Sequence, residues 1–524
     1  MTPKIPNQKK AYNALNGRLV NYIAQVQSIY DRIANQLATA IDGVGYDGSV
    51  EFLFADYPEL KQTINGIMTS YAAQMNNLIY AGTTNEWKES NIMQDLLARK
   101  VLRAYDFEKG GDKYKRYFQT NTDALKAFQN RADRGLNLSQ KLWYQSQALK
   151  KELEHTISTA IERGQSAVVL SKRISKYLTD YPSLKADYTE KFGKAATCAN
   201  CQYASIRLAR TEINMAYRKA EWTRWQQFDF ILGYEVKLSK RHPAPDICDD
   251  LLGIYPKDFV FLGWHPNCMC YVVPIVMSDE EYYVSKKRAD NYMPLPSGMG
   301  SWIEKNSIRI LSSSRNGTLP YWLRDNKNVR DCAILIGKSK EISKDFKTIG
   351  ETIAEKVGGI VTPVNYKSFS SMYRKLLTEK INITDIKDAV RSTIIVDKDK
   401  IEEVVYNLKH LDAFLRHKEQ KAEMFNGYSG NIVNLSMPNG IVSEIQINTA
   451  KMIYAKETES NAKRILGEEL WKKIRSEINL PGGLGHKYYE EIRLLNKATD
   501  ITKVERLERL SEEYYSHFRV TIQR

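Results

Sequence analysis

At 524 residues the chain is too long for one hydrophobic core, so about three domains are expected. Hydrophobic residues make up 43% and charged residues 27%, which sets aside collagen-like, disordered and disulfide-scaffold classes. Lys plus Arg number 77 against 62 Asp plus Glu, and the net +15 fits phosphate-rich partners (DNA, RNA or nucleotides) or simply a solvated basic surface.

The opening MTPKIPNQKKAYNALN has neither an apolar h-region nor a small-residue cleavage site, and no run approaches the roughly 18 apolar residues of a membrane span. Synthesis in the cytosol, with no membrane span, is the expectation. From residue 10 to about 190 apolar residues recur at helical spacing. Leu19, Ile23, Val26, Ile29 and Ile33 make one stripe, and Leu149, Leu153, Ile157 and Ile161 another. Residues 1–190 therefore read as an arm of long packing helices.

Residues 191–280 concentrate Cys, Trp, His and Pro. CANCQYASIRLARTEINMAYRKAEWTRWQQF reads as one amphipathic helix. Ile206, Ala209, Ile213, Ala216, Ala220 and Trp225 are placed toward a core, and Arg207, Arg210, Arg218 and Arg224 outward. Five of the six cysteines lie between 198 and 270, which in a cytosolic chain points to metal or local structure rather than to disulfides. Cys248, His265, Cys268 and Cys270 offer three sulfurs and one nitrogen to a structural zinc ion, with Cys198 and Cys201 as substitutes or additions. The competing reading packs them as small apolar side chains. Residues 281–334, with DNYMPLPSGMGS and SSSRNGTLP, read as a linker, and DCAILIGKS (331–339) as a short buried strand and turn.

The helix with Leu-Ala-Arg-Thr-Glu (208–212), Cys248 and Gly253, and the His265-Pro-Asn-Cys268-Met-Cys270 ending resemble the phage Mu F-like minor head protein domain. That resemblance implies a small α+β domain acting in head morphogenesis with portal and procapsid proteins. It brings no enzymatic residues.

Four separated pieces of 335–524 carry polar residues. A helix beginning near Ser368 puts Ser371 and Lys375 on one face, with Lys367 just before it, and a helix start beside ammonium groups suits a phosphate. Asp388 precedes the apolar run of a strand, and Gly427-Tyr428 precedes another. After the Pro-Asn-Gly hairpin signal at 438–440, alternation places Val442, Glu444 and Gln446 on one face and Ser443, Ile445 and Ile447 on the other. Solvated lysines, a satisfied Glu and a core tyrosine are the plainer account of the same residues.

Together these pieces resemble the RelA/SpoT-type alarmone synthetase domain. Its Lys-x₃-Ser-x₃-Lys segment answers to Lys367, Ser371 and Lys375, its pre-strand Asp to Asp388, its Gly-Tyr to Gly427 and Tyr428, and its Glu-Ile-Gln-x-x-Thr to Glu444, Ile445, Gln446 and Thr449. The resemblance implies a mixed sheet flanked by helices, related to nucleotidyltransferases, that moves the pyrophosphate of ATP onto an acceptor hydroxyl. Asp388 and Glu444 would hold Mg²⁺, Glu444 would serve as base, Lys367 and Lys375 would bind phosphates, and Tyr428 would stack on the acceptor base. The chain departs from the family pattern in having Asn365 where an Arg is common and Arg391-Ser-Thr393 where Gly-x-Arg is common. His486-Lys-Tyr488-Tyr489-Glu stands near a later His/Tyr/Glu element.

The expected architecture is thus multidomain α+β: helical arm 1–190, Mu F-like domain 191–280, linker 281–334, and RelA/SpoT-like domain 335–524. The expected function is a virion head protein that carries an ATP-dependent effector into the host cytoplasm. Its acceptor would be a nucleotide or a tRNA 3′ end, and an antitoxin and DNA contact would accompany it. The alternative is a structural capsid protein with an inactive nucleotide-binding domain.

Overall fold

The computed structural model describes residues 2–42, 44, 46, 48–105, 112–161, 167–239, 244–284, 294–424, 426–495 and 500–519. No described helix is long and apolar enough to cross a membrane. The chain is multidomain α+β and divides into two compact units, residues 1–299 with 320–326 and residues 300–319 with 327–524.

The first unit is built on α1 (Gln8–Ile41), α2 (Pro58–Ala104), α3 (Thr122–Gln129), α4 (Leu138–Ala160), α5 (Ala167–Thr179), α6 (Tyr181–Phe192) and α7 (Cys201–Gln227). Local chemistry fixes the starts: Asn7 Oδ1 caps α1, Pro58 opens α2, and Asn137 with Gln140 forms a capping box on α4. The two expected stripes bury Leu19, Val26, Ile29 and Ile33, and Leu149, Leu153 and Ile157, while Ile23 and Ile161 are half-buried. After α7 come β1 (Ile231–Lys237), the short α8 (Ile247–Asp250), β2 (Gly253–Pro256) and β3 (Tyr271–Val276), which form an antiparallel sheet in the order β2-β1-β3. Then follow α9 (Asp279–Val284), α10 (Ser297–Arg315), which from residue 300 on belongs to the second unit, and α11 (Tyr321–Asp325) of the first.

Two expectations fail here. Residues 297–325 of the supposed linker are mostly helical, and 285–293 lie outside the described residues. Arg218 and Arg224 of α7, expected outside, are 3% and 0% exposed. Arg224 reaches Asn91 Oδ1, Asp95 and the Tyr117 carbonyl, so partners from distant elements override the helical-wheel placement.

The second unit continues with α12 (Lys327–Glu341) and α13 (Ser343–Val357). DCAILIGKS is therefore helix, not strand. Val329, Cys332, Ala333 and Ile336 are buried at helical spacing, and a five-residue apolar run cannot by itself distinguish the two states. Next come β4 (Ile360–Val361), β5 (Asn365–Tyr366), α14 (Phe369–Thr378), β6 (Val390–Ile395), α15 (Ile401–Lys409), β7 (Phe414–Gln420), β8 (Gly430–Ser436) and β9 (Val442–Asn448). The sheet runs β4-β6-β9-β8-β7, with β5 also paired to β6. It is mixed: β6 and β9 are parallel and the other pairs antiparallel. The Pro-Asn-Gly turn joins β8 to β9, with Gly440 at φ 79° supplying the left-handed position the turn needs. Helices α16 (Ala450–Lys456), α17 (Glu459–Leu466), α18 (Glu468–Ile478), α19 (Leu484–Leu494) and α20 (Ile501–Arg519) follow, packed around Tyr454, Trp471, Tyr514 and Phe518.

Candidate active site

The register of the second sheet builds one polar row. Arg391 on β6 pairs with Glu444 on β9, and Glu444 pairs with Asn434 on β8; Arg416 on β7 pairs with Asn434. Paired residues on neighbouring strands share a face, so all four point the same way. The adjoining row on that face holds Thr393, Gln446 and Ile432. Arg391, Thr393, Gln446 and Ile432 line a cavity of about 710 Å³.

The opposite wall of the cavity comes from the C-terminal helices: Lys456 on α16, Asn461 and Arg464 on α17, and His486 and Tyr489 on α19. Tyr428 and Asn365 line it as well. Tyr428 is held by Asn448, whose Nδ2 donates to the phenol oxygen at 3.0 Å. The Lys456 ammonium sits 5.4 Å from its ring centroid and donates to Gln446 Oε1 at 3.2 Å. Gln446 Nε2 in turn donates to Glu444 Oε1 at 2.7 Å.

Glu444 is only 9% exposed and forms no ion pair among the described residues. A carboxylate in that position is costly unless a cation or a proton balances it. Its nearest polar neighbours are Gln446 Nε2, which donates to it, and Arg391 and Asn434 in register, so its own carboxylate oxygens are the hard donors it could offer to Mg²⁺.

Asp388 lies three residues ahead of Arg391, before β6. Lys367 Nζ donates directly to its Oδ2, and Lys375 Nζ stands 3.7 Å from Oδ1. Burial would raise the Asp388 pKa, but Lys367, then Lys375 and Arg391, outweigh it and hold the carboxyl below its ordinary value. Burial in turn lowers the Lys367 pKa against the opposing pull of Asp388. Asp388 and Glu444 share neighbours rather than touching. Arg391 is next to both, and Asn434, beside Glu444, donates from Nδ2 to the Lys387 carbonyl at 3.3 Å.

Ser368 caps α14, accepting from the Ser371 amide, and the two hydroxyls are 2.9 Å apart. The first amide of that helix, on Phe369, already donates to Glu304 Oε1 at 2.8 Å, so the expected phosphate-binding helix start is partly occupied by a carboxylate. Of the residues expected from sequence, Tyr428 and Gln446 line the cavity. Glu444 lies one alternate position along β9, and Lys367, Lys375 and Asp388 cluster beside Arg391. Arg416, Asn434, Lys456 and Arg464 were missed. The last two stand on helices directly after β9, where a basic residue seven positions past Thr449 was the available signal.

In the first unit, Cys248 Sγ is 3.1 Å from His265 Nε2 and 3.8 Å from Cys268 Sγ, and the sulfurs of Cys248, Cys268 and Cys270 lie within 4.8 Å of one another. Cys198 and Cys201 do not join them. They belong to the helical core, where the Cys201 amide donates to buried Glu152.

No family model matches the chain. Over 161 residues, 30% of its length, the chain is 35% identical to the (p)ppApp synthetase toxin Tas1 of Pseudomonas aeruginosa (strain UCBPP-PA14). The match takes in 36% of that protein, so the chain spans about a third of the length of the curated relative. A crystal structure of the complex between the Type VI effector Tas1 and its immunity protein matches at 32% identity, over 35% of this chain and 94% of that one, with a TM-score of 0.33.

Proposed function

We propose that the second unit is a pyrophosphokinase effector that transfers the β,γ-pyrophosphoryl group of ATP to a ribose hydroxyl of an adenine nucleotide. The observation that carries this reading is the polar row of Arg391, Glu444 and Asn434 beside a cavity furnished with Tyr428, Lys456 and Arg464. The 35% identity to a (p)ppApp synthetase toxin supports it, and that relative's name is the reason for preferring adenine over guanine or a tRNA end.

In this reading the Tyr428 ring, fixed by Asn448 and Lys456, stacks on the acceptor base. Lys367 and Lys375 turn from Asp388 to the phosphates of ATP, and Arg391 steadies the transferred group. Glu444 takes the proton of the acceptor hydroxyl. The oxygen so freed bonds to the β-phosphorus, the bond from that phosphorus to the α–β bridging oxygen breaks, and AMP leaves with the electron pair. Asp388 and Glu444 would hold Mg²⁺, which neutralises charge on the phosphate oxygens when bound.

The test is incubation of the purified chain with γ-labelled ATP and AMP, ADP or ATP as acceptor. Labelled adenosine products that vanish in Glu444→Gln and Asp388→Asn are expected. Absence of transfer to any adenine nucleotide overturns the reading, and label on guanine nucleotides or tRNA ends overturns the acceptor assignment.

The Mu F-like motifs of residues 190–280 support a second reading, for the first unit: a head-associated carrier that contacts portal and procapsid proteins, so that the chain travels in the virion and acts in the host cytoplasm. Immunoblotting of purified virions for the chain tests it. An immunity protein that binds the effector unit belongs to the same reading, as does contact between the basic surface and DNA.

A further inference from the structure

We propose that Cys248, His265, Cys268 and Cys270 hold a structural zinc ion in the first unit. Sequence spacing alone left these residues divided between zinc and core packing. Four features of the structure favour the metal.

The first is distance. Two thiolates on a tetrahedral zinc, each about 2.3 Å from the metal, stand about 3.8 Å apart. Cys248 and Cys268 are separated by 3.8 Å, and Cys270 joins them within 4.8 Å. His265 Nε2 is 3.1 Å from Cys248 Sγ but groups with Cys248 and Asp246 rather than with the other two sulfurs, so its ring must swing toward Cys268 and Cys270 to become the fourth ligand.

Imidazole orientation is the second. His265 Nδ1 lies 2.7 Å from the Pro266 carbonyl and donates to it, which leaves Nε2 facing the Cys248 sulfur and Asp246 Oδ2. A hydrogen bond of the far ring nitrogen to a carbonyl is the usual way a zinc histidine is fixed.

The third is the support behind the ligands. Arg218 Nη2 donates to the carbonyls of Cys268 and Cys270 at 2.8 and 2.7 Å, Arg218 Nη1 to that of Leu262, and Asn214 Nδ2 to that of Cys268. Gly263, at φ 113°, leaves room where a Cβ would strike the Arg218 guanidinium. The backbone carrying both cysteines is thus held by α7 independently of any sulfur contact.

Charge is the fourth. Arg218 is 3% exposed yet forms no ion pair among the described residues. A buried guanidinium without an anion is costly. Zinc with three thiolates and a neutral imidazole carries one net negative charge, and the three thiol protons leave to solvent as the Zn–S bonds form. Burial favours the protonated form of Glu221, the acidic neighbour of Arg218, so the anionic centre supplies the counter-charge instead.

Asp246 is the rival ligand, since its Oδ2 is 3.1 Å from His265 Nε2. It is exposed, however, and its other oxygen already accepts the Cys248 amide at the start of α8. Soft sulfur is the better match for zinc than this carboxylate.

The experiment is metal analysis of the full chain produced with zinc in the medium, together with cobalt replacement. About one zinc per chain is expected, with intense thiolate-to-cobalt charge transfer and tetrahedral ligand-field bands. Cys268→Ser should lose both signals, whereas Asp246→Asn and Cys198→Ser should keep them. Should Cys268→Ser not fold, the wild-type chain decides: chelation should lower one thermal transition and added zinc should restore it. Less than about a tenth of a zinc per chain, a melting profile indifferent to chelation, or metal that survives Cys268→Ser but not Asp246→Asn overturns the proposal.

Discussion

Glu444→Gln separates the chemistry of the second unit from its stability. The change keeps shape and removes one negative charge from a side chain that is 9% exposed and has no ion pair among the described residues. The hydrogen bond from Gln446 Nε2 survives on the amide oxygen, weakened by about 1 kcal/mol as a charged acceptor becomes neutral. Relief of the buried charge returns about 1–3 kcal/mol. The net is between zero and about +2 kcal/mol, which for a unit of this size raises its melting transition by about 0–8 °C. If Glu444 is the base of the proposed reaction, its loss should meanwhile lower the rate of pyrophosphoryl transfer by about 10²–10⁴-fold. Calorimetry and a labelled-ATP assay on the same preparation read both effects. A melting point that falls by more than about 4 °C would make Glu444 a structural residue, and transfer within threefold of wild type would remove it from the chemistry.

Tyr428→Ala should raise the acceptor KM by about 1–3 kcal/mol in binding terms, while Tyr428→Phe, which loses only the Asn448 contact, should change it little; steady-state kinetics with varied acceptor distinguish them. Gly485→Ala would drive a Cβ into the ring of Tyr515, a buried wall of the cavity, so a loss of about 1–3 kcal/mol in stability is expected by denaturant titration. Lys367→Met leaves Asp388 with Lys375 alone at close range; breaking this largely buried pair should cost about 1–3 kcal/mol, less than a fully buried pair because Lys375 and Arg391 remain. In the first unit, burial pushes Glu221 up to about 8 against the lowering effect of Tyr12 and Arg218, and burial likewise raises Glu152 to about 7. A raised folded pKa gives stability that is complete below the ordinary glutamate value and is lost as pH rises through the folded one. Stability should therefore decline between about pH 5 and 8, and Glu221→Gln should flatten that decline in pH-dependent melts.

What the sequence disclosed were features written in local chemistry. Ser368 announces the start of α14 because a side-chain oxygen must satisfy an early amide, and Pro-Asn-Gly announces the β8–β9 turn because Gly440 needs a positive φ. Alternation along β9 then placed Glu444 and Gln446 together. Features set by distant partners stayed hidden. Arg218 and Arg224 look like the solvated face of a helix until carbonyls and carboxylates from other elements are known to meet them. The row Arg391–Glu444–Asn434–Arg416 exists only through strand register, which joins positions that single-strand periodicity cannot relate. The Lys456 and Arg464 wall depends on how α16 and α17 return over the sheet.

Buried charge offers a common logic for the two candidate sites. Elsewhere the chain neutralises it internally. Arg18 is paired with Glu86 at 2.7 Å, Arg131 with Glu212 at 2.7 Å, and Arg224 with Asp95 at 2.6 Å. Glu221 and Glu152 escape the cost by holding a proton more tightly. Glu444 and Arg218 have no such ion pair among the described residues, although Arg391 stands in register beside Glu444 and Glu221 lies near Arg218. Each stands near groups suited to a ligand: Arg391, with Asp388 and its lysines, near Glu444, and the Cys268 and Cys270 segment beside Arg218. A structural role alone would favour an apolar side chain of similar volume at either position, since unpaired buried charge destabilises. Retaining the charge is intelligible if folding is completed by a ligand of opposite sign, a cation against the polar row of the second sheet and an anionic metal–thiolate centre against α7. On that reasoning Glu444→Gln should spare the fold while removing the chemistry, and Arg218→Met should weaken zinc retention more than it weakens the helical core around α1 and α2.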